Sequence, residues 1–198
     1  MKEIRGFGVR YESMQLDLSQ TDAPQKLLTE VHNKLGSPSI FVNNATHSVD
    51  VDFRSTNAEN LAAHYNVNVR GTCLLMVEFA RQIEGKHGGR IINMVSGQDK
   101  SSEPGNFAYM ATKGVVSPFT KSVTLELVPL HITLNAVDLG PMDTGWMNSE
   151  LKEYLLPKFR MGRIGQSKDA AKLINFLESN ESEWIIGQII HSDGGFFD

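Results

Sequence analysis

The stretch NMVSGQDKSSEPGNFAYMATK, residues 93–113, joins an apolar segment to a helix-forming segment and carries a serine, a tyrosine and a lysine. Tyr109 and Lys113 are four residues apart, so a helix after Pro104 would place both side chains on one face. Ser96 closes the apolar segment, as a residue at the end of a buried strand does. A cation favours the ionised form of a neighbouring phenol, whose ordinary pKa is about 10. The stretch therefore predicts a strand, a loop and a helix that together form a proton-transfer site.

Strand and helix patterns alternate along the rest of the chain. Short apolar runs predict strands, and longer runs with apolar residues three and four positions apart predict helices. The predicted strands cover residues 9–18, 39–43, 90–96, 131–137 and 184–192, and the predicted helices cover residues 22–36, 57–86, 107–128 and 167–177. Because the strands are continuously apolar, we expect a single α/β domain, residues 1–198, with a parallel sheet covered by helices on both faces.

Local signals mark the ends and a break of the predicted helices. Asp22 with Gln25, and Thr56 with Glu59, have the spacing of a capping box, which predicts that helices begin there. Pro118 falls inside the third predicted helix, where its ring opposes the carbonyl group four residues earlier. We therefore expect a kink in that helix.

Composition restricts the partners of the chain. Its 198 residues are 40% hydrophobic and 21% charged, with a formal net charge of −4. Binding of nucleic acid or of an anionic membrane favours a clustered basic surface, and the sequence has no such cluster. No apolar run is long enough for a membrane span, and the N-terminus lacks an apolar signal core. With one cysteine, Cys73, which can form no internal disulfide, we expect a cytoplasmic protein.

Polar side chains interrupt the apolar pattern where the predicted strands end. Asp17, Asn43, Asn44 and Ser96 occupy such positions, as does the segment LGPMDT, residues 139–144. Ligands of parallel sheets bind at the carboxyl ends of the strands, so these residues predict a binding site at that edge. The six histidines show no metal-binding spacing, and no metal site is expected.

Five motifs in order give the chain a family resemblance. It resembles the classical short-chain dehydrogenases/reductases, nearest to members similar to 3-oxoacyl-[acyl-carrier-protein] reductase. Residues 109–113 (YMATK) match the Tyr-x-x-x-Lys motif of that family, and Ser96 stands at the usual distance before it. Residues 43–46 (NNAT) match Asn-Asn-Ala-Gly except at the last position, and Asn68 matches the asparagine of the catalytic tetrad. Residues 135–144 (NAVDLGPMDT) resemble the Pro-Gly motif. The resemblance implies a Rossmann-like, doubly wound parallel sheet.

The resemblance also implies an NAD(P)-dependent oxidoreductase that transfers a hydride between the cofactor and a small carbonyl or alcohol. Tyr109 would act as general acid or base, and Ser96 would hold the carbonyl oxygen. Lys113 would lower the pKa of the tyrosine and hold the nicotinamide ribose, and Asn68 would place a water in a proton relay. The implied cofactor-binding residues are Asp17, Asn43, Asn44, Ala45, Tyr109, Lys113, Met142 and Thr144.

The resemblance further implies that the first two strands and the first helix of the family fold are missing from this chain. In the family these elements carry the glycine-rich turn that holds the cofactor pyrophosphate. Without them, the predicted strand 9–18 would collapse against the next strand, pair with another chain, or stay detached. Two functions therefore stay open. The chain is an active oxidoreductase, or it is a catalytically impaired remnant that acts only through oligomer contacts.

Family resemblance implies a homo-oligomer, a dimer or tetramer that forms through helices 57–86 and 107–128. The substrate pocket would be shaped by residues 97–107 and 142–165, which carry no signature of a particular substrate. The family residues that select NAD or NADP lie in the missing elements. Neither the substrate nor the choice between the two cofactors can therefore be predicted from this sequence.

Overall fold

The computed structural model describes residues 4, 6–83, 85, 88–97, 100 and 105–197. Its strands are β1 (Ile40–Asn43), β2 (Gly89–Val95), β3 (Ile132–Asp138), β4 (Met142–Asp143), β5 (Gly165–Gln166) and β6 (Ile189–His191). A four-stranded parallel sheet has the order β1-β2-β3-β6, and β4 and β5 form a small parallel pair. The prediction of an α/β protein with a parallel sheet is confirmed.

Helices alternate with the strands along the chain. They are α1 (Ala23–Leu35), α2 (Ala58–Tyr65), α3 (Thr72–Ile83), α4 (Phe107–Lys113), α5 (Val116–Leu127), α6 (Ser149–Leu155) and α7 (Ser167–Glu178). A π-helix, Asn66–Gly71, joins α2 to α3. Within the described ranges, no helix is both long enough and apolar enough to cross a membrane.

Helices cover both faces of the four-stranded sheet, as expected. One face packs against α1, α3 and α5, and the opposite face packs against α7. Adjacent residues of β2 point to opposite faces, so Ile91 belongs to the first core and Ile92 to the second. Every residue of β3 is buried, whereas β1 lies at the edge of the sheet and Ile40 is 40% exposed. The centre of the sheet is therefore the β2–β3 pair.

Residues 9–17 form no strand, so the prediction of a strand at residues 9–18 is wrong. A strand needs a neighbour for its backbone hydrogen bonds, and in the described part of the chain β1 pairs with β2 alone. The segment stays detached from β1, which is the third of the expected arrangements. Arg10 donates to the Leu35 carbonyl oxygen (3.1 Å), and Arg70 donates to that of Ser19, so the segment lies against α1 and the π-helix.

Neither predicted capping box forms. Asp22 precedes α1 but makes no side-chain cap, because its carboxylate binds Lys26 at 2.6 Å. Thr56 donates to a carbonyl oxygen four residues earlier (2.6 Å) instead of capping α2. The box lies one residue later, where Asn57 and Asn60 each accept a hydrogen bond from the backbone N–H of the other. The start of each helix was nevertheless predicted to within two residues.

The predicted helix 107–128 is divided into α4 and α5 by a break at Gly114 and Val115. Pro118 lies four residues after Gly114, so its ring would oppose the Gly114 carbonyl group in a continuous helix. The break places Pro118 in the first turn of α5, where a backbone N–H has no intrahelical acceptor. The predicted kink is confirmed, and it lies at residue 114 instead of at the proline itself.

The C-terminal third differs from the prediction in two elements. Helix α6 was not expected from the sequence, and its start is capped by Asn148, which accepts from the Leu151 N–H (2.8 Å). The last strand, β6, covers three of the nine predicted positions. The rings of Phe159 and Phe196 lie 5.0 Å apart and attach the end of the chain to the segment that follows α6.

Candidate active site

Ser96 follows β2, and buried amide side chains fix this strand in the sheet. Asn93 of β2 is fully buried, accepts from Asn43 Nδ2 at 2.9 Å, and donates to Thr120 Oγ1 at 3.0 Å. These bonds join β1, β2 and α5 around one side chain. Asn43, which the resemblance implied as a cofactor contact, thus uses its amide to support the strand that carries Ser96.

Helix α4 brings Tyr109 and Lys113 to the end of β2. Lys113 is only 5% exposed, and its Nζ donates to the carbonyl oxygen of Met94, two residues before Ser96. Tyr109 lies one turn earlier on the same helix and is half-buried. Burial lowers the pKa of Lys113 to about 8, because a buried ammonium loses its hydration. The bond from Lys113 to β2 joins the helix that carries Tyr109 and Lys113 to the strand that Ser96 follows.

Asn68 lies in the π-helix and is 1% exposed. Its Nδ2 donates to the His47 carbonyl oxygen (2.9 Å) and to Thr112 Oγ1 (3.0 Å). Its Oδ1 accepts from Thr46 Oγ1 (3.0 Å) and from the His47 N–H (2.7 Å). An amide side chain has two donor hydrogens and two acceptor positions, so all four are used. The side chain therefore ties the loop after β1 to the residue before Lys113.

The loop after β1 is held from a second side by two histidines. His64 is fully buried, and its Nδ1 lies 2.7 Å from the Asn60 carbonyl oxygen while its Nε2 accepts from the Val49 N–H at 3.1 Å. The carbonyl can only accept, so the hydrogen of the neutral ring is on Nδ1. The His47 ring meets the His64 ring edge-on at 4.5 Å. Asn44 and Ala45 are exposed in this loop.

Three other predicted cofactor residues lie outside this buried cluster. Met142 is half-buried in β4, and its carbonyl oxygen accepts from Trp146 Nε1 at 2.9 Å, whereas Thr144 is exposed. Asp17 is exposed, and it accepts from the Ser19 N–H (2.9 Å). Asp17 and Thr144 are therefore exposed, whereas Asn68 and Lys113 are buried.

The described residues fit one half of a nicotinamide dinucleotide. Lys113 presents a buried amine on the helix that carries Tyr109, and its acceptor, the Met94 carbonyl group, lies two residues before Ser96. A pyrophosphate is usually held by a glycine-rich turn between a strand and a helix. Gly6 and Gly8 lie in a turn, but no strand precedes them in the part of the chain that the structure describes. Those residues show no cradle for the phosphates.

Sequence reasoning missed a cluster beyond the end of β3. Asp138 Oδ2 lies 2.7 Å from His191 Nδ1, and Lys100 pairs with Asp193. Asp138, His191 and Asp193 have possible ligand atoms within 4.8 Å of one another, and no other such group of at least three occurs in the described ranges. Asp138 and His191 are 53 positions apart in the sequence, and Lys100 and Asp193 are 93 positions apart, so no local spacing could have revealed either pair.

A family model described as enoyl-(acyl carrier protein) reductase matches residues 2–197 of the chain. An uncharacterized oxidoreductase of Bacillus subtilis, YjdA, is 52% identical over 197 residues, which cover 98% of this chain and 78% of that protein. The 3-oxoacyl-[acyl-carrier-protein] reductase FabG of Staphylococcus aureus is 31% identical over 200 residues, which cover 100% of this chain and 81% of FabG.

A solved structure of another protein shares the fold of this chain. The gluconate 5-dehydrogenase of Burkholderia cenocepacia, in complex with NADP and tartrate, superposes with a TM-score of 0.89 and 25% identity. The superposition covers 98% of this chain and 78% of that chain. The doubly wound, Rossmann-like arrangement implied by the sequence motifs is therefore confirmed.

Proposed function

Because the chain belongs to the short-chain dehydrogenase/reductase family of oxidoreductases, we propose that Tyr109, Lys113 and Ser96 carry out reversible reduction of a small carbonyl compound. Members of this family use NAD(P), which supplies or accepts the hydride when it is bound. The observation that carries the proposal is the buried bond from Lys113 to the Met94 carbonyl group. That bond joins the helix of Tyr109 to the strand of Ser96.

Tyr109 acts as the proton donor in reduction and as the base in oxidation. Lys113 is charged below a pH of about 8, and its ammonium group favours the ionised phenol after the proton has left. Ser96 donates a hydrogen bond to the substrate oxygen and fixes it near the phenol. Charge that develops on this oxygen is then stabilised by donors that are already in place, which is where such donors contribute most.

Asn68 contributes through the backbone that it orders. Its side chain is fully used by His47, Thr46 and Thr112, so a water of the proton relay would be held by the main chain of the π-helix. π-Helical turns occur frequently at functional sites. Met142 and Thr144 would contact the nicotinamide carboxamide, and Asn44 and Ala45 the adenosine half, whereas Asp17 lies in the exposed segment before α1 and is assigned no contact.

Cofactor titration tests this proposal directly. Purified protein is titrated with NADH and, separately, with NADPH while nicotinamide fluorescence is followed, and turnover is then measured with a panel of aldehydes and ketones. Saturable binding of one cofactor and turnover that Tyr109→Phe abolishes are expected. If neither cofactor binds at millimolar concentration, the chain is not an active oxidoreductase by itself, and the catalytically impaired alternative is correct.

A second copy of the chain is the proposed macromolecular partner. An apolar groove of about 510 Å³ lies between α2 and the π-helix on one side and α4 and α5 on the other. Exposed apolar side chains line it, among them Leu61 (37% exposed), Tyr65 (50%) and Val115 (41%). These are the two helical regions for which oligomer contacts were predicted. Leu61→Glu should convert a dimer or tetramer into a smaller species in analytical ultracentrifugation, whereas Trp184→Glu, at a 91% exposed site outside both helical regions, should not.

The cytoplasm is the proposed compartment. Cys73 is the single cysteine of the chain, and it is a half-buried free thiol. A protein without disulfides is typical of a reducing compartment.

A further inference from the structure

We propose that Asp138, which is bonded to His191, positions the two segments that form the walls of the active site. These walls are the turn that contains Ser96 and the segment that leads to Met142. The inference rests on the proposed function, in which Ser96 holds the substrate oxygen. Asp138 is assigned a positioning role, in which it acts through the backbone next to Ser96 and the segment that leads to Met142. Nothing in its local sequence pattern suggests the role.

The Asp138 carboxylate is enclosed and bound at both oxygens. The residue is 2% exposed and ends β3. Its Oδ1 accepts from the Gly140 N–H at 3.0 Å, and its Oδ2 lies 2.7 Å from His191 Nδ1. An ionised carboxylate can only accept, so the imidazole donates from Nδ1. A buried carboxylate is costly unless its oxygens are bound, and here they connect β3, β6 and the segment toward Met142.

Ser96 lies between two residues that contact Asp138. Val95, the residue before it, is the register partner of Asp138 in the sheet. Gly97, the residue after it, packs on the carboxylate so closely that a methyl group added there would lie 2.7 Å from Oδ2. Neighbours on both sides thus fix the backbone position of Ser96 relative to β3.

A second contact ties the same loop to the end of the chain. Lys100 pairs with Asp193, two residues after His191, and its N–H donates to the Gly97 carbonyl oxygen at 2.9 Å. A methyl group at Gly140 would lie 2.9 Å from Asp193 Cβ. The segment after β6 therefore packs both on the turn that contains Ser96 and on the segment that leads to Met142.

Side-chain pairing favours this positioning role over a metal site. Asp138, His191 and Asp193 could supply three ligand atoms, but each of the carboxylates already accepts from an N–H group of the backbone and from a side chain. Lys100 supplies the positive charge at Asp193. Metal binding would have to displace Lys100 and break the bond between His191 and Asp138.

A double-mutant cycle on Gly97 and Asp138 tests the proposal. The backbone of Gly97 lies outside the left-handed region, so Gly97→Ala is conformationally allowed, and the three atoms nearest to its added methyl group all belong to the Asp138 carboxylate. The Ser96 turn must then shift, and we expect kcat to fall about 100-fold, as a displacement of about 1 Å can cause. Asp138→Ala removes the obstacle. The double variant should therefore have the kcat of Asp138→Ala alone and show strong non-additivity.

His191 variants separate positioning from general stability. The amide nitrogen of His191→Asn can replace Nδ1 as donor to Asp138, so kcat should stay within about threefold of wild type, whereas loss of the charge-assisted bond in His191→Ala should lower it about tenfold. Melting temperature and cofactor affinity are measured for both. His32→Ala, which removes an exposed ring bonded to half-buried Ser37, is the matched control and should leave kcat unchanged.

Crystal structures of the four proteins of the cycle report the position of Ser96 without any need for turnover. A shift of Ser96 in Gly97→Ala that is reversed in the double variant supports the proposal even if the wild-type chain proves inactive, so the two proposals can fail separately. Additive effects on kcat, or an unmoved Ser96 in Gly97→Ala, would overturn the positioning role. Loss of wild-type turnover after dialysis against a chelator would also overturn it, because the cluster would then be a metal site.

Discussion

The end of β2 and the outer edge of β1 differ in how they are supported by the rest of the chain. Ser96 follows β2, and Lys113 donates a hydrogen bond to the Met94 carbonyl group of that strand. Almost all residues of β2 and of its neighbour β3 are buried. Along the outer edge of β1, Ile40 is 40% exposed, and residues 9–17 run without a strand partner in the described part of the chain. The residues proposed for proton transfer therefore lie where the strands of the sheet are buried.

The residues proposed for proton transfer and the segment of residues 9–17 therefore have separate structural supports. The bond from Lys113 to Met94 and the four bonds of Asn68 do not involve the edge of β1. Substitutions near Tyr109 should therefore have large effects on turnover, and substitutions in residues 9–17 should have small ones. Matched pairs of variants, one in each region, measure the contrast.

Replacement of Tyr109 should have the largest effect. Tyr109→Phe removes the proton donor, and loss of general acid catalysis typically costs about 10²–10⁴-fold in rate. Steady-state oxidation of NAD(P)H with a carbonyl substrate measures it. Tyr11→Phe makes the same chemical change in the detached segment and should leave kcat within about twofold, as expected of a surface substitution. Equal losses in both variants would contradict the separation of the two regions.

Lys113→Met should lower turnover and raise stability near neutral pH. Burial lowers the pKa of Lys113 from 10.5 to about 8, so at pH 7 the folded protein bears the full cost of a buried charge. That cost is about 3 kcal/mol at about 1.4 kcal/mol per pKa unit. The lost hydrogen bond to Met94 offsets about 1 kcal/mol of it, and the variant should gain about 2 kcal/mol at pH 7.

This gain in stability of the variant shrinks as the pH rises through a defined window. Between a pH of about 8 and 10.5 the folded amine is neutral while the unfolded amine is still charged, so wild-type stability rises relative to the variant. Urea unfolding at pH 7 and at pH 9.5 measures the difference between the two proteins. Lys34→Met, at an exposed lysine on α1, should show no such pH-dependent difference. A variant that is less stable than wild type at pH 7 would show that the ammonium is well solvated.

Asn68→Ala should have an intermediate effect, mainly on stability. The substitution leaves the His47 and Thr112 partners of the amide without their bonds in a buried place, at a cost of about 3 kcal/mol for the set. Turnover should fall as well, because Thr112 precedes Lys113 on α4. Urea unfolding at pH 7 is the measurement, and Asn33→Ala on the exposed face of α1 is the control. If Asn68→Ala lowered the free energy of unfolding by less than Asn33→Ala does, water would have replaced the hydrogen bonds of the amide.

Local patterns were enough to predict which elements carry Ser96, Tyr109 and Lys113, whereas features that depend on distant contacts were missed. Tyr109 and Lys113 lie on one helix, and the end of β2 follows from its apolar run, so both were predictable. The strand at residues 9–18 was wrong because strand propensity cannot supply a neighbouring strand. The π-helix around Asn68 depends on bonds to residues more than 20 positions away. The pair of Asp138 and His191 likewise depends on the alignment of β3 with β6.

Replacement of Asp17 should have the smallest effect, and it tests whether residues 9–17 lie apart from the cofactor site. Its exposed carboxylate accepts hydrogen bonds from Ser19 and Gln20, which lower its pKa and keep it charged at neutral pH. If Asp17 contacted the adenosine ribose, Asp17→Asn would weaken cofactor binding, and if it faced the pyrophosphate, loss of the charge would strengthen binding. An exposed charge away from the ligand should do neither, and the Kd for NADH or NADPH should stay within about twofold. A change of about tenfold in either direction, measured by nicotinamide fluorescence, would place the detached segment in the cofactor site and end its separation from the proton-transfer residues.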